Sequence, residues 1–236
     1  MKGNYKKEEV FSLLKRPTDP QTIYKKQKLD RDDTIDITDF DVVSWIKAEM
    51  RQMLDEEIAR AILVGDGRLA SSDDKISQDH VRSIYLDDDF YAVKVPVKVS
   101  KNATDDEIAK ATIRAIIKAR KDYKGSGQPA FYTTVDTVTD MLLLEDANGR
   151  IIYDTEEKLR TAIRASKIVE VEVMEGQTRT DDSNVTRPLI GIMVNLIDYN
   201  VGADKGGAVS TFEDFDIDYN QNKCLIETRM SGALIK

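Results

Sequence analysis

Apolar residues recur at steps of three and four through Val42, Trp45, Ile46, Met50, Met53, Leu54, Ile58, Ala61 and Ile62, the stripe of an amphipathic helix. Thr38 or Asp39 offers an N-cap ahead of it, and Gly65 offers a stop. About 25 residues at about 1.5 Å each make a rod on the order of 38 Å, well beyond the usual three or four turns. A stripe of that length needs a long sheet, or another subunit, to cover it.

Elsewhere the period changes to two. Ile23, Lys25, Gln27 and Leu29, then Ile35 and Ile37, alternate around the turn-like Asp30-Arg31-Asp32-Asp33, which predicts a β-ribbon or hairpin arm, strongly charged for a core strand. Phe90 to Ser100 alternates too, and Pro96 places that strand at a sheet edge or a bulge. A second helix begins at Thr104, with Asp105, Asp106 and Glu107 in its first turn, Lys and Arg in its last, and Gly125 as its end. A strand from Ala130 to Thr134, a short helix from Val135 to Leu144, a turn at Asn148-Gly149, a helix around Glu156 to Ile163 and a strand from Lys167 to Glu175 follow. Residues 104–174 therefore alternate helix and strand and predict a compact α/β unit. From Leu189 to Ile235 the pattern is that of a β-meander broken by a glycine-rich loop at Val201 to Ala208. The tetrapeptide ending at Asn200 returns at Asn220, but two copies of four residues do not make a repeat architecture.

Composition narrows the function. The 236 residues, 41% hydrophobic and 33% charged, suffice for one large or two small domains of a soluble globular protein. A net charge of -8 argues against a body that wraps nucleic acid by neutralising phosphates. One cysteine, Cys224, excludes an internal disulfide framework, and one histidine, His80, leaves no Cys/His zinc site. The start of the chain has no apolar core for a signal peptide and no later segment reaches a spanning length, so the product is expected to stay in the cytoplasm.

Candidate chemistry is sparse. Gly65-Asp66-Gly67-Arg68-Leu69-Ala70 matches a dinucleotide loop in letters, but such a loop follows a strand and opens a helix; here the order is inverted and the glycines read as a helix stop. Asp216, Asp218, Asn220 and Glu227 have the spacing of four calcium-loop ligands. Gln221 stands where that loop needs its glycine, so a solvated acidic strand face is the expected reading. Tyr24, Lys25, Lys26 and Lys28 could stack on and neutralise nucleic acid, though a short basic patch in an acidic chain more often meets solvent or a neighbouring subunit. The carboxylates at Asp32-Asp33, Asp73-Asp74, Asp87 to Asp89 and Asp181-Asp182 sit in polar, turn-like stretches, and His80 has no obvious nucleophile beside it. No catalytic residue, metal site or cofactor is expected: the chain suggests assembly rather than chemistry.

Three blocks carry a resemblance. DFDVVSWIKAEMRQMLDEEIARAILVGDGR resembles the spine helix and following turn of tailed-bacteriophage major capsid proteins of the Hong Kong ninety-seven fold. TDDEIAKATIRAIIKAR with PAFYTTVDTVTDMLLLEDANGRIIYD is similar to the helix, strand, helix and turn of that family's axial domain, and KCLIETRMSGALIK to its last peripheral strand. The resemblance implies an α+β shell subunit: residues 1–38 the end of an extended loop or β-arm, 39–103 a peripheral domain with the spine helix, 104–180 an axial domain, and 181–236 the peripheral β-meander. It implies self-association into hexamers and pentamers around double-stranded DNA, without sequence-specific binding, membrane or catalysis. Scaffold, portal and maturation protease are its further expected partners, with production in a bacterial host and a place in the virion capsid. On the arm, Tyr24, Lys25, Lys26, Lys28, Asp30 and Arg31 become expected contacts to a neighbour. Relative to the family the chain resembles a fragment lacking the N-terminal arm and the extreme C-terminus. Some members join a loop lysine to an asparagine with help from a glutamate; Asn222 lies near that strand, but Arg229 stands where the acid belongs, so no cross-link is expected. An encapsulin-like cellular shell, or a calcium- or ligand-binding module, are the alternative readings.

Overall fold

In the computed structural model, which describes residues 16–32, 41–69, 71–180 and 185–235, the long helix α1 runs Val42–Leu63. Asp41 caps it, its carboxylate accepting from the Ser44 amide at 3.1 Å and hydroxyl at 2.7 Å. The cap is thus Asp41 rather than Thr38 or Asp39, which lie outside the described residues with Asp33, Ile35, Ile37, Ala70, Asp181 and Asp182. The helix is 22 residues long, a rod of about 33 Å. It ends where expected: the Val64 and Gly65 amides both donate to the Arg60 carbonyl, and Gly65 turns to φ 98. A Cβ there would meet the Gln78 amide nitrogen at 2.7 Å, so glycine is required.

The helix lies on a sheet whose hub is its last strand. β1 (Gln21–Asp30) pairs antiparallel along its full length with β9 (Gln221–Leu234), from Gln21 opposite Met230 to Asp30 opposite Gln221. On the other edge of β9, β8 (Ser210–Asp216) takes Gln221 to Glu227 and β7 (Tyr199–Ala203) takes Met230 to Leu234. This differs from the expected meander, in which successive strands pair in order. At 14 residues β9 is long enough for the seven of β8 and the five of β7 to sit end to end beside it. Ile23, Met50, Leu54, Ala61, Ile226 and Met230 form the core between helix and sheet. The sheet covers only one side of α1, leaving Trp45 and Met53 of the expected stripe 54% and 50% exposed.

A second cluster builds the α/β unit. α2 (Asp105–Ala119) opens with a capping box, the Thr104 hydroxyl accepting from the Glu107 amide and the Glu107 carboxylate from the Thr104 amide. β2 (Ala130–Thr133) is buried on both faces, and α3 (Val135–Leu142) and α4 (Glu156–Ile163) cover it through Phe131, Val138, Met141, Leu159 and Ile163. β3 (Ile168–Glu170) runs parallel to β2; the chain then bends into a 3-10 turn at Glu172–Met174, burying Met174, so the expected strand stops early. β4 (Thr178–Thr180) and β5 (Thr186–Pro188) form a small hairpin. β6 (Gly191–Val194) returns to the other edge of β2, so this strand of the expected meander belongs to the three-stranded sheet instead. α2 stops at Ala119, well before Gly125, which is occupied otherwise: the Asp198 carboxylate lies where its Cβ would be, and accepts from the Ser126 amide at 2.6 Å.

The expected strand at Phe90 to Ser100 does not form. Among the described residues it pairs with no other strand, and Phe90, Val93, Val95 and Val99 stay exposed. Pro96 lacks a donor, and the Lys94 ammonium donates to the carbonyls of Asp87 and Ala92, curling the start of the segment onto its own loop.

Tyr199 fastens the end of β9. Its phenol donates to the Arg82 carbonyl at 2.9 Å, and its ring lies against Gly232, where a Cβ would come within 2.5 Å. Burial, then the nearby Asp87 carboxylate, pushes its pKa above the ordinary value of 10.0. Folding therefore favours the neutral phenol, a contribution fully present below about pH 10 and lost as pH rises beyond it. We expect Tyr199→Phe to cost about 1 kcal/mol in denaturant unfolding at neutral pH and to lose stability less steeply than the parent above about pH 10.

Candidate functional site

Strand alternation divides the six expected contact residues of the arm between two faces. Lys25 points with Ile23 toward α1 and pairs with Glu57, whose side chain is only 9% exposed. Arg68 pairs with the same carboxylate at 2.5 Å, so one largely covered acid holds two cations, one from β1 and one from the turn after the helix. Tyr24 faces outward and donates to the Asp74 carboxylate; that hydrogen bond, and then the negative charge of Asp74, raise its pKa. Tyr24 and Lys25 are thus engaged within the chain. Lys26 and Lys28 stand exposed on the outer face, opposite Leu225 and Lys223, and no carboxylate among the described residues pairs with them. The Asp30 carboxylate accepts from the Asp32 amide at 3.2 Å, and the Arg31 guanidinium lies 5.9 Å from the Phe215 ring centre.

Glu57 is the residue that sequence reasoning missed. A signal was available: it follows Leu54 by three positions and precedes Ala61 by four, so it interrupts the apolar stripe, and a carboxylate on a core face needs cationic partners.

Between the first turns of α1 and the far half of the sheet lies an open cleft of about 380 Å³, lined by Leu29, Val43, Ile46, Phe215 and Cys224 and crossed by the Lys47–Glu213 ion pair at 2.6 Å. Burial pushes the Cys224 thiol up, away from the thiolate that a nucleophile requires. Beyond the cleft the β8–β9 turn holds Ile217 and Tyr219 in solvent, 84% and 70% exposed, with Phe212 exposed on β8. Apolar side chains gathered at a projecting tip suit contact with another protein better than contact with water.

The calcium-like spacing does not become a site. Asp216 pairs with Lys223, which holds its carboxyl below the usual range. The Asp218 amide donates to Asp216 at 3.1 Å and Asn220 takes φ 52, so these residues make a tight hairpin turn. Glu227 sits opposite Tyr24 and Ser210, about 20 Å up the strand from that turn. Among the described residues no three His, Cys, Asp or Glu side chains converge in a way that could hold a metal.

The remaining candidates are occupied by the fold. The buried Asp66 carboxylate accepts from the Ile76 amide at 3.2 Å and lies 3.7 Å from Arg68, so the Gly-Asp-Gly turn is tied to its own following loop. Asp87 is buried against Arg16. The His80 ring nitrogen Nδ1 meets the Asp19 carbonyl at 2.7 Å. No described helix is long and apolar enough to cross a membrane.

Removing the shared anion should show in stability: Glu57→Gln is expected to cost about 2 kcal/mol in denaturant unfolding, since Lys25 and Arg68 lose their common partner. Lys26→Ala and Lys28→Ala should stay within about 0.5 kcal/mol of the parent.

No protein-family model matches the chain, and no curated protein matches it in sequence. Solved structures do match in fold. The structure of Mycobacterium phage Adephagia aligns with 91% of this chain and 66% of its own, at 10% identity and a TM-score of 0.57. That of Mycobacterium phage Bobi covers 91% and 65%, at 14% identity and a TM-score of 0.60. The capsid of a native GTA particle covers 91% and 69%, at 13% identity and a TM-score of 0.55. The chain thus spans about two thirds of the length of each. At these identities the likeness establishes the fold: α+β, that of the phage major capsid proteins.

Proposed function

We propose that this chain, which carries the phage major capsid fold, is a structural subunit of a tailed-phage or prophage shell and assembles with itself into hexamers and pentamers around double-stranded DNA, without a catalytic step. The observation that carries the reading, beside the fold, is the arm and its surroundings. β1 is held in register by ten paired residues and by Glu57, yet presents Lys26 and Lys28 with no ion pair among the described residues, with Ile217 and Tyr219 exposed at the neighbouring hairpin tip. Lys26, Lys28, Asp30 and Arg31 are the residues assigned to the neighbouring subunit, while Tyr24 and Lys25 act through the chain itself, as the anchors that aim the arm. In domain terms, α1 and the β1-β9-β7 sheet with β8 form the peripheral part, and residues 104–180 joined by β6 form the axial part. The net charge of -8 suits a wall that encloses DNA rather than one that grips it.

Electron microscopy of the expressed chain, alone and with a scaffold supplied, tests this reading. Closed particles or five- and six-membered rings are expected; monomers alone under all conditions would sink it. Lys26→Glu with Lys28→Glu should lower particle yield by at least about tenfold, because a like charge set against a partner is strongly unfavourable. Thermal unfolding of the variant monomer should stay unchanged.

A further inference from the structure

The two ends of α2 carry opposite charge, and among the described residues only Arg160 of these groups is ion-paired within the chain. At its start Asp105, Asp106 and Glu107 stand near Asp136 and Asp140 of α3, a helix with no lysine or arginine. Partial burial, then the carboxylates of Asp105, Asp136 and Asp106, raise the Asp140 pKa, as expected of like charges held together. The helix dipole accounts for acids in a first turn, but not for Asp140 in the second half of α3.

At the far end, about 22 Å away along the helix axis, Arg120, Arg160 and Arg164 line an open cleft of about 690 Å³. In sequence Arg120 is flanked by Lys118, Lys121 and Lys124, with the single carboxylate of Asp122 in that stretch. Arg160 is steadied by Glu157 at 2.7 Å and the Ser166 carbonyl at 3.0 Å, and Arg120 lies 4.5 Å over the Tyr123 ring. Arg164 closes α4 in the left-handed conformation, φ 56, and among the described residues its guanidinium has no hydrogen-bond or ionic partner. Apolar side chains accompany both ends: Val135 and Leu143 are exposed beside the acids, and Ile117 near the cations. Charge with adjacent apolar surface is the make-up of a protein contact.

We propose that the acidic face of one copy, built from Asp105, Asp106, Asp136 and Asp140, docks on the arginine notch of the next copy, built from Arg120, Arg160 and Arg164. The contact rests on the shell-subunit reading above and names the partner surface within its ring. Because the two patches differ and lie at opposite ends of the unit, the contact is head-to-tail and closes into rings when the rotation between copies fits. Acid against acid and arginine against arginine repel, so the charges also exclude face-to-face pairing.

Two charge-reversal variants test it. One carries Arg120→Glu, Arg160→Glu and Arg164→Glu; the other carries Asp105→Lys, Asp106→Lys and Asp140→Lys. Each alone should form rings at least about tenfold less than the parent, from like-charge contact. Mixed one to one they should co-assemble in alternation, restoring six-membered rings but not five-membered ones, since alternation requires an even number. Arg164→Glu alone, which disturbs no partner within the chain, should weaken assembly in the same direction and serves if a triple variant fails to fold. Rings at parental yield from folded single-sign variants, or no rescue on mixing, would overturn the interface. So would a variant that assembles normally but loses binding to a single-stranded oligonucleotide, which would make the notch a polyanion site. Failure of the parent chain to form any ring overturns the shell reading itself, and the interface with it.

Discussion

The ladder between β1 and β9 is the constraint on which the rest depends. It joins Gln21 to Met230 and Asp30 to Gln221, residues some two hundred positions apart, and so brings the two ends of the described chain into one sheet. Everything on the helix side of that sheet follows from its register: Ile23 and Ile226 reach the core beside Leu54, and Lys25 arrives opposite Glu57. A slip of one residue would turn Ile23 to solvent and Tyr24 toward the helix, so the buried ion pair and the buried isoleucine specify the same alignment. Arg16 secures the edge beyond β1, pairing with the buried Asp87, donating to the Leu234 carbonyl and stacking 3.9 Å from the Tyr91 ring.

This arrangement separates charges that hold the fold from charges that remain for partners. Glu57, Asp66, Asp87 and Asp198 are buried and matched by Lys25, Arg68, Arg16 or main-chain amides. Buried acids of this kind commonly mark active sites, yet here each has a structural partner. Among the described residues, charges without an ion pair include Lys26 and Lys28 on the arm and, at the two ends of α2, the acids near Asp140 and the guanidinium of Arg164. Their segregation by sign, in a chain whose total is -8, gives a surface that discriminates orientations of a second copy, which net charge alone does not.

What was legible beforehand was local. The 3.6-residue period of α1, its stop at Gly65, the helix start at Thr104 with acids in its first turn and most of the helix-strand alternation read over 104–174 depend on near neighbours, and these appear in the structure. What went astray depended on partners distant in sequence. The valine alternation at Phe90 to Ser100 met no strand to pair with, and Gly191–Val194 joined β2 rather than the tail. The acids and asparagine at 216–220 became a hairpin turn, with Glu227 far up the ladder. Period-two patterning tells a chain which residues share a face, but nothing in it names the strand that will lie alongside.

The sequence by itself determined the long helix, its glycine stop and the α+β class, because turn chemistry and hydrophobic period act within a few residues. Only the tertiary structure decided that β9 is the hub of the sheet, that Tyr24 and Lys25 meet Asp74 and Glu57 of their own chain, and that Arg120 of one helix meets Arg160 and Arg164 of another. Those outcomes are set by which surfaces remain after the core has closed, and a pairing across two hundred residues has no counterpart in local pattern.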